Sequence, residues 1–340
     1  MRRLKTALIG LSGVGAGYLD ALLADDQFEL IAVGDTDRGV LRHRAEALTA
    51  RAYQDYRSLI VESARNGVDS LFVAAEPFQA REHVDLAMAH GVAVFHKAPP
   101  ARNVNEARHL ADSARRAAVP LIVSRPWAFE PALTRLHGLA KVAGRIHAVH
   151  AEVRTSDRFD GWRADARQAG GGVLLNGAYQ ALDMIVALCG PARSVFARCG
   201  RGATPEPAAK YDTEDVAHLS LTLANGAIGC LSAVRGTTDC GWRLTLDGDS
   251  ATVTVSHQAI RITPRDRGRE ESVPFPEGRG ARRAISAFGA ARLAGLRSIP
   301  SSIRDHAATL AVIGAAYLSA KTGVPETPDE SAERRTTGAR

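Results

Sequence analysis

An α/β domain with a parallel sheet, followed by an α+β domain on a large, mostly antiparallel sheet, is the fold class predicted for this 340-residue chain. Three observations predict it. Short apolar runs alternate with helix-like stretches over residues 1–124. A glycine-rich turn joins the first run to the first helix. Later, period-2 alternation broken by tight turns replaces that rhythm.

In order, residues 4–9, 28–33, 68–74, 92–95 and 120–123 read as strands, with helices over 16–24, 79–90 and 103–118. Such short, nearly continuous apolar strands suit a parallel sheet covered on both faces. The rhythm changes after Pro126 and Pro131. Residues 145–154 are strand-like, and Ala217, Leu219, Leu221 and Leu223 alternate with Val216, His218, Ser220 and Thr222. Asn225-Gly226 then marks a tight hairpin before 227–234. Asp247-Gly248-Asp249 is expected to turn the chain between strands 242–246 and 251–255. Helices are expected over 172–188 and 302–321, the second capped by Ser301 or Ser302 and stopped by Gly323. The stretch 261–283, dense in arginine, reads as a loop, and the charged tail 326–340 as disordered. The domains are placed at 1–124 and 125–325.

Composition narrows the function classes. A hydrophobic fraction of 45% and a charged fraction of 24% are ordinary for a globular protein. No apolar run reaches the roughly 18 residues of a membrane span, and the basic start Met1-Arg2-Arg3 lacks a signal-peptide core, so a cytoplasmic protein is expected. Net charge is +6, yet the arginines are spread along the chain, which argues for a basic surface rather than nucleic-acid binding. Cys189, Cys199, Cys230 and Cys240 form no C-x-x-C pair, so reduced, buried thiols are expected and no metal site. His83, His90, His109, His137 and His147 receive no role.

The informative motif is Gly10-Leu11-Ser12-Gly13-Val14-Gly15, a dinucleotide fingerprint with Ser12 at the middle glycine position. Glycines allow the tight turn and let backbone approach a pyrophosphate at the helix N-terminus. Asp35 follows at the end of the second strand, about 20 residues on, where a carboxylate accepts ribose hydroxyls and repels a 2′-phosphate. NAD is therefore expected, with Arg38 leaving NADP open. This completes a Rossmann reading of the first domain.

With Tyr53-Gln54-Asp55-Tyr56, Val68-Asp69, the 92–100 segment VAVFHKAPP, the 170–183 segment GGGVLLNGAYQALD, Tyr211 to Asp215 and Ile303 to His306, the sequence resembles the glucose–fructose oxidoreductase, inositol dehydrogenase and rhizopine-catabolism (Gfo/Idh/MocA) family over residues 4–325. The resemblance implies an NAD(P)-dependent oxidoreductase acting on a hydroxyl or carbonyl of a sugar, cyclitol or related molecule. It implies a motif lysine, matched by Lys97, and an Asp and a His four residues apart on a helix. Here those two positions are Asn176 and Gln180, and the motif's Glu and Pro are His96 and Ala98. Amides keep shape and hydrogen bonding but cannot exchange a proton near neutrality.

Lys97 is thus the candidate catalytic group, since a partly desolvated lysine can reach a pKa near neutral. Gly10, Ser12, Gly13, Val14, Gly15, Asp35, Arg38, Ala75, His96 and Lys97 form the expected cofactor-binding set. Asn176, Gln180, Tyr179, Asp183 and Trp162 form the expected substrate-binding set. On a continuous helix, positions 176 and 180 share one face, and Asp183 lies a turn further along it. Tyr179 reads as packing rather than catalysis, and Trp162 with Arg163 and Arg154 either as a ligand clamp or as a domain contact. A small-molecule substrate is implied, and a homodimer or homotetramer, because one face of the second sheet lacks helices to cover it. The alternative is a catalytically silent dinucleotide- or ligand-binding protein with a regulatory role, which the two amides would suit.

Overall fold

A computed structural model describes residues 2–130, 136–157, 160–202, 211–266, 268–274, 279–296 and 303–328. The cap at Ser301 or Ser302 and most of the tail lie outside these. The chain divides into two compact units: Met1–Ala101, Glu106–Phe129 and Gly278–His306 form the first, and Arg102–Asn105, Glu130–Glu277 and Ala307–Arg340 the second. The segment 278–306, placed by the sequence in the second domain, joins the first unit.

In the first unit the strands are β1 (Leu4–Ile9), β2 (Phe28–Gly34), β3 (Arg51–Tyr53), β4 (Ser70–Val73), β5 (Ala93–His96) and β6 (Leu121–Val123). Among the described residues they make one parallel sheet in the order β3-β2-β1-β4-β5-β6. That order reverses beside β1, and open α/β sheets bind ligands at such a point, outside the strands' C-terminal ends. Helices α1 (Val14–Leu23), α2 (Arg38–Ala45), α3 (Tyr56–Arg65), α4 (Pro77–Ala89), α5 (Val104–Ala117) and α6 (Pro126–Phe129) connect or follow the strands. Phe28, Phe72, Phe95 and Phe288 form the aromatic centre of the core, with Phe288 meeting Phe72 and Phe95 at 5.5 and 5.4 Å.

The second unit begins with α7 (Leu136–Ala143) and β7 (Ile146–Thr155), then α8 (Ala166–Ala169), α9 (Val173–Asn176) and α10 (Tyr179–Cys189). Strands β8 (Ala192–Gly200), β9 (Val216–Leu223), β10 (Ile228–Arg235), β11 (Gly241–Gly248), β12 (Ala251–Ser256), β13 (Ala259–Pro264) and β14 (Glu271–Pro274) complete a sheet in the order β14-β13-β12-β11-β7-β10-β9-β8. It is antiparallel except where β10 runs parallel to β7. Helices α11 (Arg279–Leu293) and α12 (Ile303–Thr322) close the chain. Alternation decides the faces: Leu219, Leu221, Leu223, Leu231, Leu244, Leu246, Val253 and Val255 are buried. His150, Glu152, His218, Ser220, Thr222 and Arg243 line the other side. The same face also carries Phe196 and Ile228, paired in register with Ser220 and Thr222, so it is mixed in polarity.

Several expectations are corrected. Among its described residues the 261–283 stretch, read as a loop, carries most of β13, all of β14 and the start of α11. Its edge strand β14 is exposed throughout, so burial leaves no apolar signature there. The turn after β11 falls at Asp249-Ser250, since β11 runs on through Gly248. Residues 172–188 are two helices, bent by 58° about Gly177-Ala178 when α8 and α9 are taken together. The four cysteines are free thiols, but only Cys189 is fully buried. Gly323 does end α12, with φ of 78° and its N–H donating to the Ser319 carbonyl. Among the described residues no single helix is long and apolar enough to cross a membrane.

Candidate functional site

The turn from β1 into α1 is built by two glycines that nothing larger replaces. Gly10 has φ of 81°, and a Cβ there would come 2.8 Å from the Ala74 carbonyl carbon, because β1 and β4 end side by side. A Cβ on Gly15 would fall onto the Gly10 carbonyl. Ser12 replaces a glycine without strain, because the second left-handed residue of the turn is Gly13, with φ of 53°. Ser12, Gly13 and Val14 are exposed, and space beside Gly13 is open. No side chain caps α1, and no acidic residue occupies its first turn. An exposed glycine turn before an uncapped helix end fits a diphosphate.

Asp35 follows β2 beside this turn and is buried, with one carboxylate oxygen accepting from the Leu11 N–H at 2.8 Å and the other from the Asp37 N–H at 2.9 Å. The acid therefore braces the glycine turn and keeps lone pairs for ribose hydroxyls. Arg38, exposed at the start of α2, donates from Nε to Gln54 Oε1 at 2.9 Å. Ala75 is buried just beyond β4.

Two strands from β1, Lys97 follows β5, its N–H bonded to the Val73 carbonyl. Its side chain is 14% exposed, with Nζ 3.8 Å from Glu76 Oε2 at the N-terminus of α4. His96 points into the core, 1% exposed, its Nδ1 donating to the Lys97 carbonyl at 2.5 Å. Burial pulls its pKa down to about 4 against that contact, and the charges of Lys97 and His306 pull the same way. The imidazole is therefore neutral at physiological pH.

In the second unit, Asn176 ends α9 and Gln180 lies in the first turn of α10, so the break between them overturns the expected shared face of one helix. Asn176 Nδ2 donates to the Gly171 carbonyl at 2.7 Å, which fixes the glycine run. Gln180 is exposed, Tyr179 is buried, and Asp183 is buried with Oδ1 accepting from Thr309 Oγ1 at 3.0 Å. Trp162 sits half-buried in a 3-10 turn with the Arg163 guanidinium 4.5 Å from its ring centre. The residue that organises this region is Glu214. Its carboxylate accepts from the Gly172 and Leu174 N–H groups at 2.6 and 3.0 Å and from Tyr317 Oη at 2.9 Å.

Residues 4–125 match the model of an oxidoreductase family with an NAD-binding Rossmann fold, and residues 140–254 match the Gfo/Idh/MocA C-terminal domain. The protein is a member of the Gfo/Idh/MocA family. Among relatives, D-apiose dehydrogenase of Paraburkholderia graminis is 27% identical, the match covering 95% of this chain and 89% of that protein. The uncharacterised protein y4oX of Sinorhizobium fredii is 25% identical over 77% of this chain and 75% of its own length. A levoglucosan dehydrogenase, solved in complex with NADH and levoglucosan, shares the fold with a TM-score of 0.84 at 19% identity, covering 97% of this chain and 100% of that one.

As a Gfo/Idh/MocA protein the chain is an NAD-dependent oxidoreductase. The glycine turn, Asp35 and Lys97 were legible in sequence because each sits in a short motif. Glu76 and Glu214 were missed. Glu76 precedes Pro77 at a helix start, which was a usable signal. Glu214 grips a segment about 40 residues earlier, and no local pattern announces that pairing.

Proposed function

We propose that this Gfo/Idh/MocA oxidoreductase oxidises a hydroxyl, or reduces the matching carbonyl, of a sugar, cyclitol or related polyhydroxylated molecule. One observation carries the reading. Lys97, largely withdrawn from water, stands at the same sheet edge as the glycine turn and Asp35, where such sheets bind ligands. The names of the relatives support the substrate class, since D-apiose is a sugar and levoglucosan is the molecule bound in the structural neighbour.

Bound NAD+ supplies the hydride acceptor. Gly10, Ser12, Gly13, Val14 and Gly15 would hold its diphosphate, and Asp35 its adenosine ribose, with Arg38, Ala75 and His96 beside or beneath it. In the oxidation direction Lys97, as the free amine, accepts the substrate hydroxyl proton while the carbinol carbon loses hydride, and in reverse it returns that proton to the carbonyl oxygen. Asn176 and Gln180 bind substrate hydroxyls without exchanging protons. Trp162 borders the substrate, and the buried Tyr179 and Asp183 support that surface from below.

The test begins with NADH fluorescence titration, followed by assays with NAD+ over aldoses, anhydrosugars, inositols and hydroxy acids. Saturable binding and turnover of a polyol or sugar are expected. Lys97→Met should lower kcat by about 10²–10⁴ while leaving NADH affinity unchanged. Saturable binding without turnover of any polyhydroxylated substrate in either direction, or full activity in the variant, defeats the proposal.

A further inference from the structure

A groove of about 510 Å³ runs between α4 and α5 of the first unit. Asp85, Met88 and Ala89 of α4 form one wall, and His109, Ser113 and Arg116 of α5 form the other. Both sets recur at helical spacing, so each belongs to one face of its helix. α4 leads into β5 through Gly91, which places the groove at the N-terminal end of that strand. Lys97 follows the opposite end.

The charges along the groove are incompletely matched. Asp85 Oδ2 lies 2.7 Å from His109 Nε2 and 4.0 Å from Arg81 Nε, so both basic neighbours meet the same oxygen. Oδ1 is shut off from solvent and accepts no hydrogen bond among the described residues. An unpaired carboxylate oxygen inside a protein is unfavourable, and a donor that reaches it removes the penalty. The aspartate end torsion is broad and two-fold, so a modest turn brings Oδ1 to the wall that Asp85 already lines. Arg116 is exposed and donates to Ser113 Oγ at 3.1 Å. Asp112, one turn earlier, pairs with Arg115 instead at 3.0 Å, which leaves Arg116 with donors for an anion. Ser113 stands one turn along α5 from His109, about 6 Å, and that sets the span between the two unmatched groups. An α-amino acid holds its nitrogen and its carboxylate oxygens within about 4 Å of each other, and a hydrogen bond of about 3 Å at each end reaches across.

We propose that this groove binds a zwitterionic α-amino acid, its ammonium on Asp85, its carboxylate on Arg116 and a short aliphatic side chain against Met88 and Ala89. A ligand carrying only one of the two charges satisfies one wall and leaves the other unmatched. The site is separate from the dinucleotide cradle and gives the first unit a second ligand.

The intact protein is titrated by calorimetry with glycine, L-alanine and L-valine, and with isobutylamine and 3-methylbutanoate, which are valine lacking its carboxylate or its amine. L-valine should bind saturably, and each half-ligand about tenfold or more weakly, since each loses one charge-assisted hydrogen bond. Arg116→Gln should weaken L-valine by about tenfold or more while NADH affinity stays unchanged. Asp85→Asn should weaken L-valine as well. The proposal is overturned if none of the three amino acids binds saturably to the unmodified protein up to roughly 10 mM, a result that needs no variant to fold. Either half-ligand binding as tightly as L-valine also overturns it, as does an L-valine affinity that Arg116→Gln leaves unaltered.

Discussion

His96 and Lys97 are consecutive, yet one is sealed in the core and the other faces the ligand edge of the sheet. Strand alternation alone anticipates opposite directions. The structure adds that the imidazole ring nitrogen Nε2 is buried with no hydrogen-bond partner among the described residues. Protonating His96 would bury a cation beside Lys97 and His306, which is why burial takes its pKa from 6.5 to about 4. In the unfolded chain the ring keeps its ordinary value, so between these two values the unfolded state binds more protons than the folded one. Stability is then whole above the unfolded value and is lost as pH falls toward the folded one, a loss of up to roughly 3 kcal/mol. Urea denaturation at about pH 7 and pH 5 should show this loss in the unmodified protein and a flatter response in His96→Gln. An equal slope in both proteins would assign the pH dependence elsewhere. The charged and glycine positions of the dinucleotide cradle were readable one residue at a time. The withdrawal of His96 from water was not, because it depends on what packs above and below β5.

Elements with a strong apolar period were legible, and those defined by their partners were not. β1 and β9 have the bounds that alternation or a continuous apolar run dictates. β3 is a three-residue edge strand, and α2 has no buried residue, so neither leaves an apolar trace. The break between α9 and α10 was invisible for another reason. Residues 173–189 are apolar almost throughout, and α9 ends after four residues because tertiary bonds hold its start. Glu214 accepts from two N–H groups there and from Tyr317, and a Cβ on Gly172 would strike the Glu214 backbone. Glu214→Ala leaves three donors without their acceptor and should cost on the order of 3–5 kcal/mol. Glu214→Gln, which keeps one acceptor oxygen, should cost less. Midpoints of chemical denaturation measure both, and an alanine variant as stable as the unmodified protein would remove Glu214 from its organising role.

At the scale of the molecule, the first unit is not one stretch of chain. α11 returns from about 160 residues beyond β6 and supplies Ile285 and Phe288 to the core formed by Phe28, Phe72 and Phe95. Gln27 donates to Ser286 Oγ at 3.0 Å, and Gly289 leaves room for the Phe28 ring, which a Cβ would approach to 2.7 Å. Sequence rhythm placed a domain boundary near residue 124 because the βαβ pattern stops there, and a helix that completes a core from so far along the chain carries no mark of its destination. Losing one buried phenylalanine costs about 3–5 kcal/mol, and a domain's whole stability is only about 5–15 kcal/mol. A fragment of residues 1–129 loses Phe288 and Ile285 together and uncovers the phenylalanine rings beneath them. It should show no cooperative unfolding transition and bind NADH weakly. Joining residues 279–296 to it through a long glycine–serine linker, flexible enough to let α11 find its seat, should restore a cooperative transition and NADH binding together, since the cradle rests on that core through α1. Cooperative unfolding of the short fragment, with NADH affinity equal to that of the full chain, would show that α11 covers the sheet without completing it.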